Sequence, residues 1–194
     1  MKKVLLHCCC APCSVSCVEP LRLEGIDVTG YWYNPNIHPF KEYEARRDCI
    51  IDFAEEINLS LIVEENYGLC EFVRNVAENI AGRCVYCYEH RLEQTAKYAS
   101  ENGFDAFTST LFASTYQNHE MMKKAAEKYA EKYGVAFLYR DFRPNFKEGN
   151  QKARESGLYM QKYCGCIFSE KDRYQKQINR DIEKFLNKNK SETL

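Results

Sequence analysis

Near its start the chain reads KVLLHCCCAPCS, residues 3–14. Residues 3–8 form a mostly apolar run, which predicts a buried β-strand. Pro12 ends that run, because the residue before a proline is pushed away from helical geometry and the backbone must bend there. We expect a helix to follow as far as Leu23. The junction between this first strand and this first helix therefore carries four cysteines.

Strand and helix patterns alternate along the rest of the chain. Further strands are predicted at 28–33, 59–63, 104–111 and 135–139. Helices are predicted at about 41–57, 70–80, 88–101, 119–133, 146–156 and 168–187. Such alternation is typical of a parallel sheet with helices on both faces, so the predicted fold is α/β and Rossmann-like, with about five strands. Ligands of such sheets bind beyond the carboxyl ends of the strands, where the first cysteine group lies.

The length and charge of the chain limit the possible classes of protein. We expect residues 1–194 to form a single α/β domain, with residues 168–194 as a C-terminal helix and a frayed tail. The 27 basic and 28 acidic residues nearly cancel, which excludes a uniformly basic coat for nucleic acid. No apolar run approaches the ~18 residues of a membrane helix, so we expect a cytoplasmic protein without a membrane partner.

Cysteine is the unusual residue, with 11 copies. In a reducing compartment, clustered thiols indicate a metal or redox site more often than a disulfide framework. Seven of them form three groups: Cys9, Cys10 and Cys13; Cys84 and Cys87; Cys164 and Cys166. Cys17, Cys49 and Cys70 lie in helical patterns and are expected to pack in the core, while Cys8 suits either role.

Two kinds of metal site fit these groups. Cys10 and Cys13 with Cys84 and Cys87 suit a structural zinc, whereas four cysteines also suit an iron–sulfur cubane. Seven thiols exceed what one tetrahedral zinc uses, which leaves some for a second metal or a dithiol. Cys9 and Cys10 can serve one cluster only where the backbone bends, since successive side chains of a strand point to opposite faces. The residues alone leave both kinds of site open, at the carboxyl end of strand one.

The Cys164-Gly-Cys166 segment indicates a different chemistry. Its glycine lets the two sulfurs approach each other, which suits a reducible disulfide more than a stable one. The preceding residues, 139–163, hold six basic and three acidic residues with aromatic residues interleaved. Cations bind phosphates and aromatic faces stack on unpaired bases, so these residues are a candidate RNA-binding surface. A solvated amphipathic helix with a few core aromatics explains them almost as well.

No glycine-rich phosphate loop follows the first strand. P-loops and dinucleotide fingerprints need glycines at the strand-to-helix turn, and CCCAPC at 8–13 has none. This argues against ATP and nicotinamide cofactors at their usual position.

Several motifs occur in one order between residue 3 and about 174. They are LLHCCCAPCS at 5–14, YNPNIHP at 33–39, RCVYCY at 83–88, STL at 109–111, YQNH at 116–119, YRDFR at 139–143 and QKYCGCIFS at 161–169. Together they resemble the cobalamin-independent epoxyqueuosine reductase family, QueH. The resemblance implies a last step of queuosine synthesis, in which the epoxide oxygen of the modified wobble base of tRNA is removed to leave an alkene.

The resemblance also implies cofactors and roles for individual residues. It implies a [4Fe-4S] cluster with a second iron, or another divalent metal, beside it. The implied cluster ligands are Cys9, Cys10, Cys84 and Cys87. Cys13 is the candidate ligand of the adjacent iron, and Cys164 and Cys166 would be the redox-active pair. The implied partners are tRNA carrying epoxyqueuosine and an external electron donor.

Two other classes of function stay open at this stage. One is an iron–sulfur tRNA thiolation enzyme of the ATP-using type, against which the missing glycine-rich loop counts. The other is a zinc-stapled RNA-binding module without catalysis.

Removal of the epoxide oxygen also needs a proton donor, for which loop position suggests His38, Tyr116 or His119.

Overall fold

The computed structural model describes residues 2–191. Its sheet has five parallel strands in the order β3-β2-β1-β4-β5. The strands are β1 (Lys3–His7), β2 (Asp27–Trp32), β3 (Leu61–Val63), β4 (Ala106–Ser109) and β5 (Ala136–Phe137). Helices flank the sheet, which confirms the α/β fold predicted from the alternating pattern.

The helices are α1 (Ala11–Leu23), α2 (Phe40–Glu56), α3 (Leu69–Val76), α4 (Arg83–Glu101), α5 (His119–Tyr133), α6 (Phe146–Glu155) and α7 (Ile167–Ser191). Helices α1 to α5 lie between successive strands, and α6 and α7 follow the last strand. Helix α1 packs against α2, α6 and β2, whereas α4 packs against α5, β1 and β4. Short 3₁₀ turns cover Ile80–Gly82, Thr110–Ala113 and Arg143–Asn145.

The central strand β1 is buried, as its apolar run predicts. Val4, Leu5 and Leu6 expose no surface. Complete burial of an aliphatic side chain of this size contributes about 1.5 to 3 kcal/mol relative to its exposure. These side chains therefore fix the position of β1, and with it the residues that follow its carboxyl end.

The strand order changes direction at β1. The chain first adds β2 and β3 on one side of β1 and then places β4 and β5 on the other side. In parallel sheets, a crevice that binds ligands opens at this switch point, beyond the carboxyl ends of the two strands. Here Cys9, which follows β1, donates its N–H to the hydroxyl of Thr110, which follows β4, at 3.0 Å. The first cysteine group therefore lies at the switch point.

Two predicted boundaries differ from the structure near the cysteine motifs. The helix expected from 88 begins at Arg83, directly after a 3₁₀ turn, so that Cys84 and Cys87 lie on its first two turns. The strand expected over 104–111 ends at Ser109. The Ser109 hydroxyl accepts the N–H of Leu111 and starts a 3₁₀ turn, which ends the extended backbone.

The last helix is longer than predicted. It runs to Ser191 and not to 187. The frayed tail is expected at 189–192, but residues 189–191 belong to the helix and residue 192 lies outside the described ones. The single-domain assignment stays a prediction. No helix within residues 2–191 combines the length and the apolar character that crossing a bilayer requires.

Candidate metal and thiol site

The first thiol set lies where β1 leads into α1. The sulfur atoms of Cys9, Cys10 and Cys13 all lie within 4.8 Å of one another. Cys10 precedes α1 with an extended backbone (φ −173°, ψ 161°), and Pro12 occupies the first turn of the helix. This geometry turns the sulfurs of two consecutive residues, Cys9 and Cys10, toward each other at 3.7 Å. The bend that lets both residues share one metal is therefore present.

Side chains from distant parts of the chain donate hydrogen bonds to this set. The Thr110 hydroxyl donates to Cys9 Sγ at 3.2 Å, and Gln161 Nε2 donates to Cys10 Sγ at 3.0 Å. Hydrogen bonds from Cys10 and Cys13 hold the pKa of Cys9 well below its ordinary value; burial opposes this and Thr110 reinforces it. Burial raises the pKa of Cys10. The set thus favours a thiolate at Cys9, and the thiolate is the form that binds metals.

The second thiol set lines a cavity of about 150 Å³. Its members are Cys84, Cys87, Cys164 and Cys166. Cys87 and Cys166 are buried, whereas Cys84 and Cys164 are exposed. Gln117, which also lines the cavity, donates from Nε2 to Cys164 Sγ at 3.2 Å. The cysteine pair of α4 and the Cys-Gly-Cys segment before α7 therefore face one common space.

A buried arginine on α2 holds the start of the Cys-Gly-Cys segment. Arg46 donates from its two terminal nitrogens to the carbonyl oxygens of Tyr163 and Cys164, both at 2.9 Å. Its charge is balanced by Glu42, at 2.6 Å, and both side chains are buried. The planar guanidinium suits this task because it presents several donors in a fixed geometry.

Glycine is required in the middle of the segment. Gly165 has a φ of +152°, and a Cβ atom there would lie 3.3 Å from the side chain of Ile37. The carbonyl of Gly165 accepts the N–H of His38 at 2.8 Å, and its own N–H donates to the hydroxyl of Ser169 at 3.1 Å. Backbone hydrogen bonds on both sides of Gly165 therefore fix where the two neighbouring sulfurs lie.

The structure brings the seven predicted thiols together as a set of three and a set of four. The first holds Cys9, Cys10 and Cys13, and the second holds Cys84, Cys87, Cys164 and Cys166. The family resemblance implies that each set provides two cluster ligands, Cys9 and Cys10 from the first and Cys84 and Cys87 from the second. Proximity of the thiols alone does not test that division, which stays a prediction.

The four cysteines kept out of the site have different surroundings. Cys8 exposes no surface and donates to the carbonyl of Leu6 at 3.2 Å, and Cys17 is completely buried in the core. Cys49 is half-buried against the core. Core packing is therefore confirmed for Cys17 and wrong for Cys70, which is exposed on α3.

The three suggested proton donors are placed differently. Tyr116 lines the cavity of the second thiol set and is 89% exposed. His38 is buried outside the described lining of that cavity; burial lowers its pKa to about 4, although a hydrogen bond with the Pro35 carbonyl opposes the shift. His119 also lies outside this lining, where Nε2 contacts the Ser114 carbonyl at 3.2 Å.

Ion pairs neutralise much of the basic charge at 139–163. The pairs, at 2.6 to 3.1 Å, are Arg140 with Glu24, Arg143 with Asp141, and Lys152 with Glu19 and Glu148. Within the part of the chain that the structure describes, Lys147, Arg154 and Lys162 have no carboxylate within 4.0 Å. This surface therefore presents fewer free cations than its sequence indicates.

Sequence reasoning missed the side chains that contact the thiols or hold their backbone. They are Arg46, Arg91, Thr110, Gln117 and Gln161. The last three belong to the STL, YQNH and QKYCGC motifs, so the motifs themselves held the signal. The two arginines lie inside helices, where nothing in one sequence separates them from surface residues.

The fold and the site define an α/β protein with a thiol-rich site at the switch point of its sheet, suited to soft metals and thiol redox chemistry. A family model described as epoxyqueuosine reductase QueH matches residues 4–172. The chain belongs to this family, which confirms the resemblance that its motifs indicated. The prediction that the protein is an oxidoreductase is confirmed as well.

Individual relatives agree with this assignment. The epoxyqueuosine reductase QueH of Dehalococcoides mccartyi is 40% identical over 174 residues, which cover 90% of this chain and 96% of the relative. The QueH of Thermotoga maritima is 34% identical over 186 residues, 91% of this chain and 94% of the relative. A solved structure described as a predicted subunit of tRNA methyltransferase from Methanocaldococcus jannaschii aligns with a TM-score of 0.50 and 11% identity, over 81% of this chain and 89% of that chain. The last similarity concerns the fold alone.

Proposed function

We propose that the protein is an epoxyqueuosine reductase, which removes the epoxide oxygen of epoxyqueuosine at the wobble position of tRNA to give queuosine. The observation that carries this proposal is the arrangement of seven cysteines as two sets, one at the switch point and one around a cavity, in a chain of the QueH family. The proposed substrate is tRNA carrying epoxyqueuosine, and the proposed place of action is the cytoplasm, with an external electron donor.

The donor set suits the cofactors that the family motifs imply. Thiolates select iron–sulfur clusters and other soft or borderline metals, and four of them complete a cubane. We assign Cys9, Cys10, Cys84 and Cys87 as ligands of a [4Fe-4S] cluster. Cys13 would contribute to a second iron, or another divalent metal. When bound, these groups supply single electrons and a Lewis acid for the leaving oxygen.

Cys164 and Cys166 are the proposed redox-active pair. Removal of the epoxide oxygen as water breaks two carbon–oxygen bonds, leaves an alkene and consumes two electrons and two protons. Oxidation of two thiols to one disulfide releases two electrons and two protons, so the two half-reactions balance. An external donor then reduces the disulfide for the next turnover. Two features support this role: both residues line the cavity, and Gln117 donates to Cys164 Sγ.

Metal and product analysis of one preparation tests the proposal. Anaerobically purified protein is expected to be brown, to contain iron and acid-labile sulfide, and to convert epoxyqueuosine to queuosine in isolated tRNA. The Cys49→Ser variant is a matched control, because it removes a half-buried thiol outside both sets and is expected to keep iron, sulfide and activity. A colourless protein that contains zinc and binds RNA would indicate the zinc-stapled module. ATP binding with formation of a thiolated base would indicate the thiolation enzyme.

A further inference from the structure

Arg91 is a buried positive charge without a carboxylate partner. It lies on α4 and is 2% exposed. In the described part of the chain, no Asp or Glu oxygen lies within 4.0 Å of its guanidinium nitrogens. By contrast, Arg46 is paired with Glu42 and Arg83 with Asp172. Because removing an unpaired charge from water is very unfavourable, Arg91 requires an anion in its surroundings.

The guanidinium of Arg91 contacts a sulfur atom. Its Nη2 donates to Cys87 Sγ at 3.1 Å, and its Nε donates to the Cys87 carbonyl at 3.1 Å. Cys87 lines the cavity together with Cys84, Cys164 and Cys166. The buried cation therefore contacts the second thiol set directly.

A thiol balances a buried cation only when it has lost its proton. Free thiols are neutral near pH 7, whereas thiolates bound to a metal are anionic, and metal binding releases the proton. The Cys87 sulfur thus supplies the missing negative charge when it holds a metal. Without the metal, the guanidinium contacts a neutral thiol.

We propose that Arg91 is the counter-ion of the metal–thiolate centre and raises its reduction potential. This inference rests on the proposed function, in which Cys9 and Cys87 are cluster ligands. Reduction adds negative charge to the centre, and a buried cation at hydrogen-bond distance from a ligand sulfur stabilises that charge. Arg91 acts through Cys87 and is therefore a residue that tunes the centre, not a catalytic residue.

The first test is the midpoint potential of the centre in the full-length, iron-loaded protein, measured by anaerobic redox titration with optical and EPR detection. Arg91→Gln is expected to shift the potential to a more negative value, because the cation is lost. Arg91→Lys keeps a cation and is expected to shift the potential less. Arg74→Gln, which removes an exposed arginine of α3, is the control and is expected to leave the potential unchanged. An unchanged potential in Arg91→Gln, or equal shifts in the Gln and Lys variants, would overturn the proposal.

The second test is thermal unfolding of each variant with its metal bound and after removal of the metal by a chelator. Arg91→Gln is expected to lower the melting temperature of the loaded protein and to leave unchanged or raise that of the stripped protein, because the Cys87 thiol that Arg91 contacts is neutral once the metal is removed. Equal losses in both forms would assign Arg91 to packing alone and reject the proposal. A wild-type protein that carries zinc without sulfide would contradict the proposed cluster. The unfolding comparison would still decide whether Arg91 balances metal-bound thiolates.

Discussion

Cys8 and Cys9 show how one step along the chain changes the chemistry of a thiol. Cys8 exposes no surface, donates to the carbonyl of Leu6 at 3.2 Å, and burial raises its pKa to about 12. Cys9 lies at the bend after β1, where hydrogen bonds from Cys10 and Cys13 hold its pKa well below its ordinary value. A neutral buried thiol packs like a small apolar residue, whereas a thiolate binds metal. Two adjacent cysteines therefore have different surroundings and different thiol acidity.

Serine variants of Cys8 and Cys9 distinguish a thiol that binds metal from a thiol that only packs in the core. Cys9→Ser is expected to lower iron and acid-labile sulfide, because a serine oxygen is a poor ligand for a soft metal. We expect the same loss for Cys10→Ser, Cys84→Ser and Cys87→Ser. Cys8→Ser is the matched control and is expected to keep both, with a loss of about 1 kcal/mol in the free energy of unfolding. The measurements are iron and sulfide per chain, and denaturant unfolding.

The outcome assigns each residue separately. A serine variant of Cys9, Cys10, Cys84 or Cys87 that keeps full iron, sulfide and absorption spectrum is not a cluster ligand. Loss of iron in Cys8→Ser without loss of folding would make Cys8 a ligand, against the environment described above.

The proposed redox pair, Cys164 and Cys166, is expected to respond differently to serine substitution. Cys164→Ser and Cys166→Ser are both expected to keep the absorption spectrum of the cluster and to lose multiple-turnover deoxygenation, because neither variant can form the disulfide. Single-turnover and multiple-turnover product analysis of the same preparations provides the measurement. Loss of cluster iron in either variant, or full turnover in both, would refute the assignment. Different behaviour of the two variants would indicate that one residue is a ligand and the other packs.

At the scale of structural elements, the Cys-Gly-Cys segment is positioned by α2 and by residues 34–39, which lie between β2 and α2. Arg46 of α2 holds the carbonyls of Tyr163 and Cys164, and the ring of Tyr163 lies against the guanidinium at 5.7 Å. The Tyr163 hydroxyl in turn donates to the carbonyl of His38 at 2.7 Å. These contacts join three separate elements, so the sulfurs of the segment are held relative to the sheet and not by a local turn alone.

Arg46→Lys tests this positioning. A lysine keeps a positive charge near Glu42, but its single ammonium cannot reproduce the guanidinium contacts with both carbonyls and Glu42. We expect full cluster iron, a faster reaction of Cys164 with a thiol reagent, and a loss of turnover of up to about 100-fold, because small displacements of reacting groups are costly. Arg47→Lys is the matched control, since Arg47 pairs with Asp48 and Glu65 at the surface. Unchanged thiol reactivity and turnover in Arg46→Lys would show that the segment keeps its position without Arg46.

Periodicity predicted the elements well, but not the contacts between them. The apolar run of β1 and the alternation of strands and helices are local signals, and the structure confirms the fold that they indicate. The contact of Thr110 with Cys9 spans 101 residues of sequence, and that of Arg46 with Cys164 spans 118. Such pairs depend on the order of the strands and on the path of the loops, which no local pattern specifies. The family motifs indicated the seven thiols, but neither their division into a set of three and a set of four nor the charges that surround them.

At the scale of the whole molecule, the balance of charge would limit the proposed binding of tRNA. Acidic partners already neutralise Arg140, Arg143 and Lys152. Each of these pairs would have to open before its cation could bind a phosphate. Lys162 differs, because it is exposed two residues before Cys164 and has no carboxylate within 4.0 Å in the described part of the chain. A tRNA whose wobble base reaches the cavity of the second thiol set would bring phosphates close to Lys162.

A comparison of Lys162→Ala with Lys152→Ala tests this view of tRNA binding. If Lys162 contacts one phosphate, its removal is expected to weaken binding and to reduce the slope of log affinity against log salt by about 0.7, the value for one contact with a single strand. Lys152→Ala is expected to have a smaller effect, because Glu19 and Glu148 already bind this ammonium. The measurement is the affinity for tRNA carrying epoxyqueuosine at several salt concentrations. Equal slopes for wild type and Lys162→Ala would remove this lysine from the interface. A larger effect of Lys152→Ala would mean that the ion pairs at 139–163 open to bind RNA.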